Sequence, residues 1–254
     1  MAKKKTIQQI DGQLTIFDFC VDSSNYVTQS NEIIKGKQSL SLNAAKLLRS
    51  AIMQTKPNDT ELKPYVLTVP ELAKLLNVTR QDIHKKILEI TQEITKSPLC
   101  IKEENGDKTR WVLIPWVSIC KYDPEIGILI KLNEQLKPLL LNLISQGNYT
   151  QYTLDSILTM KSVYAIRIFE LLREKIKSKT IPQNGILVEL TIDEIRTACD
   201  CIDKLKSFTS FREKVIEKAI SEINEKTTYI VKYADIKQGR SINAFLFNVN
   251  MNYH

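Results

Sequence analysis

Leu67-Thr68-Val69-Pro70-Glu71-Leu72-Ala73-Lys74-Leu75-Leu76-Asn77-Val78-Thr79-Arg80-Gln81-Asp82-Ile83-His84 is the stretch on which the reading of the fold turns. A helix is predicted from Pro70, because a proline in the first turn gives up an N–H that has no helical partner anyway. Ala73 is small enough for a second helix to cross close by. Asn77 tolerates the left-handed backbone of a tight turn. Thr79 then starts the next helix, with Asp82 three residues on as a short variant of the capping box. Ile83, Ile87, Ile90 and Ile94 recur at helical spacing and mark that helix's buried stripe. The opposite face, near its N-terminus, carries Arg80, Gln81, His84 and Lys85.

This is a helix-turn-helix pattern, and its exposed residues suit a nucleic acid. Arg and Gln read purine edges in the major groove, whereas Lys and a helix N-terminus suit phosphates. Behind the second helix, Leu99-Cys100-Ile101-Lys102 and Trp111-Val112-Leu113-Ile114 read as strands around a tight turn at Asn105-Gly106. A helix-turn-helix followed by a hairpin is a winged helix. Lys102, Lys108 and Arg110 are therefore expected on a wing that touches the DNA backbone. Ile126, Ile128, Ile130 and Leu132 alternate as a further strand. It either completes the wing sheet of one chain or pairs across a two-fold axis.

The same order of elements recurs. Ser41-Leu42-Asn43 opens a first helix with Ala44, Ala45, Leu47, Leu48, Ala51 and Ile52 at helical spacing, and residues 65–69 form a short strand. In the second half, Ala165, Ile168, Phe169 and Leu172 form one apolar stripe, followed by a loop at Pro182-Gln183-Asn184-Gly185 and a strand at 186–190. Leu190-Thr191-Ile192-Asp193-Glu194-Ile195 then matches Leu67-Thr68-Val69-Pro70-Glu71-Leu72, and Glu222-Ile223 matches Glu93-Ile94. A period this long indicates a duplicated domain and not a solenoid. The expected architecture is α+β, two tandem winged-helix domains related by internal duplication. Residues 1–28 form an N-terminal tail, 29–145 the first domain and 146–254 the second.

The second helix pair has the stronger DNA signature. One long helix is expected over 207–224, with Phe208, Phe211, Val215, Ala219, Ile220 and Ile223 inward. Lys206, Ser207, Thr209, Ser210, Arg212 and Lys214 lie outward. Short hydroxyls let the backbone approach DNA, and Arg212 suits a two-pronged contact with guanine, which makes it the expected base reader. The wing runs from Tyr229-Ile230-Val231-Lys232-Tyr233 through a turn at Lys237-Gln238-Gly239-Arg240 to Ala244-Phe245-Leu246-Phe247, with Lys237 and Arg240 at its tip.

Composition agrees. The net charge of +7 divides as 0 over residues 1–28, +4 over 29–145 and +3 over 146–254, so both domains are mildly basic. No apolar run suits a bilayer, and Lys3, Lys4 and Lys5 lead into polar residues, so a cytoplasmic protein is expected. Five scattered cysteines fit a reducing compartment. Cys199 and Cys201 lack a second pair or a nearby His, so neither a metal nor a cofactor is expected. An enzyme is not expected either. The only histidines, His84 and His254, are far apart, and no glycine-rich phosphate loop is present.

From Gln29 to Val249 the chain resembles the iteron-binding plasmid replication initiators, the Rep-3 group. Val27-Thr28-Gln29-Ser30-Asn31-Glu32-Ile33-Ile34 is similar to that family's opening helix. Ile114-Pro115-Trp116-Val117 and Lys131-Leu132-Asn133-Glu134-Gln135-Leu136-Lys137-Pro138 resemble its domain junction. Ile166-Arg167-Ile168-Phe169-Glu170-Leu171-Leu172 resembles the start of its second domain, and Ala219-Ile220-Ser221-Glu222-Ile223-Asn224 the end of its recognition helix. The resemblance implies an initiator that binds repeated origin sites in double-stranded DNA. It also implies a homodimer that represses its own promoter, a monomer that is the active form, and a host initiator and replicative helicase as partners. A winged-helix repressor without initiator activity is the alternative. In the tail, Gln13, Leu14, Ile16 and Phe17 resemble the short peptide by which bacterial proteins bind the replication sliding clamp. The other reading of this segment is a strand packed on the chain's own first domain.

Overall fold

The computed structural model describes residues 8–10, 13–15, 26–56, 59–105, 108–176 and 180–252. At the N-terminus, β1 (Gln8–Ile10) and β2 (Gln13–Thr15) pair antiparallel. Gln13 and Leu14 of the clamp-like segment therefore lie in β2, while Ile16 and Phe17 fall outside the described residues.

The first domain runs β3 (Tyr26–Ser30), α1 (Asn31–Lys35), α2 (Leu42–Met53), β4 (Tyr65–Thr68), α3 (Val69–Leu76), α4 (Arg80–Lys96), β5 (Leu99–Asn105), β6 (Lys108–Ile114), β7 (Val117–Asp123) and β8 (Gly127–Leu132). Short helices α5 (Lys137–Leu140) and α6 (Leu143–Gln146) lead to β9 (Tyr149–Thr153), α7 (Asp155–Leu158) and α8 (Val163–Ile176). The second domain continues with β10 (Ile186–Thr191), α9 (Ile192–Ala198) and α10 (Phe208–Phe211). A π-helical turn (Arg212–Glu217), α11 (Lys218–Lys226), β11 (Tyr229–Gln238) and β12 (Ser241–Met251) complete it.

The duplication shows in the sheets. One has the strand order β4-β8-β7, the other β10-β12-β11, and every pairing is antiparallel. In each, the strand before the helix-turn-helix lies against the second strand of a hairpin, whose first strand forms the outer edge. The mixed helix and strand content and the two winged helices agree with the expected fold class.

The first wing differs from its sequence reading. Strands 99–114 form a separate two-stranded sheet, β5-β6, and the hairpin that pairs with β4 is β7-β8. Gly127 explains the close seating of β8. It faces Thr68 across the ladder at φ +136, and an added Cβ would lie 1.9 Å from the Leu67 carbonyl oxygen. The strand expected at 126–132 is β8, the centre of this sheet, with a neighbour on each edge. That occupancy removes the pairing of this strand across a two-fold axis.

The two domains share a core. β3 pairs with β9 from Tyr26↔Thr153 to Ser30↔Tyr149. The expected limits at 28/29 and 145/146 thus fall within β3 and α6. Between α2 and α8 sits a buried charge cluster. Arg49 donates to Glu170 from Nε at 3.1 Å and from Nη2 at 3.0 Å. Arg167 adds an ion pair to the same carboxylate, Gln29 Nε2 donates to it at 3.0 Å, and Tyr152 donates its hydroxyl. The Arg167 side chain reaches back to the Ile34 and Gly36 carbonyls at the C-terminal end of α1 and forward to the Ala198 carbonyl of α9. Burial alone pushes the Glu170 carboxyl up, but Arg49 and Arg167 outweigh it and hold it at about 2. Among the described residues, no helix is long and apolar enough to cross a membrane.

Removing Glu170 leaves two buried guanidinium groups without their counter-charge. Glu170→Ala is expected to cost about 3–5 kcal/mol in urea unfolding. Because the folded carboxyl lies below its ordinary value, its contribution is complete above about pH 4.5 and fades as pH falls toward 2. Glu170→Gln should lack that part of the acid dependence.

Candidate nucleic-acid interface

In the first domain the turn forms as its residues dictate. Thr68 caps α3 and Glu71 returns a bond to the Thr68 N–H at 2.8 Å, a complete capping box. Asn77 closes the helix in the left-handed region at φ 51. Thr79 caps α4, and its hydroxyl bonds Asp82 at 2.7 Å. Ile83, Ile87, Ile90 and Ile94 are buried, and Arg80, Gln81, His84 and Lys85 are exposed at the start of the helix.

His84 is also held from the wing. Its Nδ1 lies 2.7 Å from the Tyr122 hydroxyl of β7, with the rings edge to face at 5.7 Å. The structure therefore gathers Arg80, Gln81, His84 and Lys85 beside β7-β8. Lys102 and Arg110 are exposed on the other hairpin, and the side chain of Lys108 lies outside the described residues. That hairpin departs from the far end of α4, about 25 Å along the helix from Arg80. Its base is bridged to Lys37 through Cys100. The strands on either side of Asn105-Gly106 do pair, from Leu99↔Ile114 to Asn105↔Lys108, but they are not the hairpin that neighbours Arg80.

In the second domain, Thr191 and Glu194 repeat the capping box at the start of α9. The expected single helix is interrupted by the π-helical turn, which lets Val215 and Ile216 both reach the core beside Phe211. Ser207 caps α10, with its hydroxyl accepting from the Ser210 N–H. Lys206, Ser207, Thr209 and Lys214 are exposed and Ser210 is half-buried. The wing turn is tighter than expected. Gln238 faces Ser241, so only Gly239 and Arg240 form the loop, and Gly239 takes φ +62, as a glycine-led hairpin turn requires. Lys237 and Arg240 are exposed at its tip.

Arg212 is not a loose side chain. Its Nη2 donates to both carboxylate oxygens of Asp235 on β11, at 2.9 and 2.8 Å. Its guanidinium lies 5.1 Å from the ring centre of Phe208, 5.6 Å from Phe245 and 6.0 Å from Tyr233. Asp235 was not singled out from sequence, and nothing local marks it.

The repeated Glu-Ile dipeptide has a structural meaning. Glu93 of α4 takes the Ser41 N–H and, at 2.7 Å, the Ser41 hydroxyl at the start of α2. Glu222 of α11 takes the N–H groups of Lys161 and Ser162, at 2.6 and 3.1 Å, at the start of α8. In both domains the recognition helix is thus tied to the open N–H groups of the first helix, where a negative charge is favoured.

Among the described residues, no group of three His, Cys, Asp or Glu side chains is placed to hold a metal. Burial pushes the Cys201 thiol up to about 11 and the Cys199 thiol well above its ordinary value, so both stay protonated.

Comparison with known proteins bears on most of the chain. Residues 26–173 match the family model for the first winged helix of initiator replication proteins, and residues 191–249 match the model for the second. An "Uncharacterized 27.6 kDa protein" of Escherichia coli is 23% identical over 235 residues, covering 88% of this chain and 93% of that one. Among solved structures, the Pi initiator protein in complex with iteron DNA superposes with a TM-score of 0.73 at 19% identity. That match covers 92% of this chain and all of the other, and it shows a common fold.

Glu222→Ala should leave the buried Ser162 N–H and the part-buried Lys161 N–H without that acceptor and lower stability by about 1–3 kcal/mol, read by urea titration. Glu222→Gln, which keeps an acceptor oxygen, should cost less.

Proposed function

The chain belongs to the family of initiator replication proteins, and from that premise we propose that it starts plasmid replication by gripping repeated origin sites in duplex DNA with both winged helices. The observation that carries this is the paired arrangement itself. In each domain a helix N-terminus with exposed cations stands beside a hairpin, and the two units are joined through a buried core. The two units follow the expected division at 29–145 and 146–254 approximately, with β3 crossing the first limit and α6 the second. Arg80 and Gln81 are the base-reading candidates of the first, with Lys85 on phosphate. Lys206, Ser207, Thr209, Ser210 and Lys214, with Lys237 and Arg240 at the wing tip, serve the second. The role is one of binding and assembly, without a catalytic step. A sliding clamp docked on Gln13–Phe17, a host initiator and the replicative helicase are its further partners.

Gel-shift titration tests this reading. Duplex carrying short direct repeats, sought in the DNA beside the coding region, should bind with a Kd of about 10⁻⁸ to 10⁻¹¹ M at physiological salt. Affinity should fall steeply with salt as condensed counterions are released. Equal affinity for a shuffled duplex would sink the proposal.

Self-association is part of it. β6 has β5 on one edge and, among the described residues, no strand on the other. It exposes Trp111 by 63%, Val112 by 43% and Leu113 by 48%. A second copy pairing along this edge would satisfy its open backbone groups and set Trp111 and Leu113, which share one face of the strand, beside their counterparts in the other subunit. Sedimentation should show a concentration-dependent dimer that Trp111→Glu weakens by at least about tenfold. A wild type monomeric at high micromolar concentration would remove the dimer from the proposal.

A further inference from the structure

Arg212 and Asp235 stand where the recognition helix of the second domain meets its wing, and the pair joins the two elements. The carboxylate receives both bonds from one terminal nitrogen, and the guanidinium lies against Phe208, Phe245 and Tyr233. Helix and wing strand thus hold one side chain between them. An unpaired arginine on a DNA-facing surface is long and mobile, and it settles on whichever phosphate oxygen is nearest, a contact blind to sequence. A carboxylate beside it has two effects. It cancels most of the arginine's pull on the phosphates, and it fixes the plane in which the guanidinium meets a base edge.

We propose that Asp235 is a specificity-determining residue, which holds Arg212 between recognition helix and wing so that the guanidinium discriminates between bases and does not grip the phosphate backbone. The proposal rests on the reading of this face as the duplex-binding surface. Asp235 acts through Arg212 and contacts no base itself.

The test uses the full-length chain and two duplexes, one carrying those direct repeats and one of shuffled sequence, followed by fluorescence anisotropy over a range of salt. Asp235→Ala should bind the shuffled duplex more tightly, with a salt dependence steeper by about one phosphate contact. Its preference for the repeats should fall by about tenfold. Asp235→Asn, which keeps the shape and loses the charge, should lie between. Arg212→Ala should lose the same preference without the gain on shuffled duplex, and the double variant should match Arg212→Ala. A purely structural role for the pair predicts instead that both duplexes weaken together, and that result overturns the inference. So does an unchanged preference in Asp235→Ala. A wild type with no preference for the repeats overturns the initiator reading, and the inference with it.

Discussion

Glu170 accepts from two guanidinium groups, a phenol and an amide at a point where none of the partners reaches solvent. Such a cluster contributes less to net stability than its bond count suggests, because every charge in it had to leave water. What it supplies is directional. An apolar contact between α2 and α8 would tolerate small slides and rotations. A carboxylate with four donors tolerates few, since each displaced bond leaves a buried polar group unpaired. The further bonds from Arg167 to the carbonyls of Ile34, Gly36 and Ala198 extend the constraint into both domains. The cluster pins the junction of the two winged helices together with the β3-β9 ladder and the shared apolar core.

From that junction the constraint runs outward to the second helix of each helix-turn-helix. Glu93 and Glu222 bind the second helix of each helix-turn-helix to the start of the helix beneath it, and those lower helices themselves carry Arg49 and Arg167, which meet at Glu170. The wings are tied in turn, His84 to Tyr122 in one domain and Arg212 to Asp235 in the other. The two domains use unrelated side chains for the same cross-link. The duplication has therefore preserved the geometry of the frame more closely than the chemistry of the surface.

Much of the frame was legible because its signals are local. The proline, asparagine and threonine around α3 and α4 act through their own backbone, and the isoleucine stripe acts through helical spacing. The match of residues 67–72 to 190–195 is equally local, because the threonine and glutamate in each form a capping box. The first wing was misplaced because Asn105-Gly106 is a strong local turn signal. The seating of the true wing depends on Gly127 lying against Leu67, sixty positions away. The charge cluster was illegible for the same reason. Arg49 and Glu170 are 121 positions apart, and a charged residue in an apolar helix reveals no partner by itself. Asp235 escaped because an acidic residue in a basic wing reads as solvated surface until the arginine across from it is seen.

A reader of repeated sites needs both recognition helices to engage one stretch of duplex together. If the domains swung freely, binding of the second would carry the entropy cost of fixing their relative orientation each time. The buried junction meets that cost during folding, so the spacing between the helices is already set when DNA arrives. The same rigidity acts as a filter. A site with correct bases but wrong spacing engages one domain and strains the other, and the strain falls on a cluster whose bonds cannot be replaced by water. Under the proposed function, discrimination between sites would be shared between the exposed side chains of the two helix-turn-helix units and the buried carboxylate of Glu170.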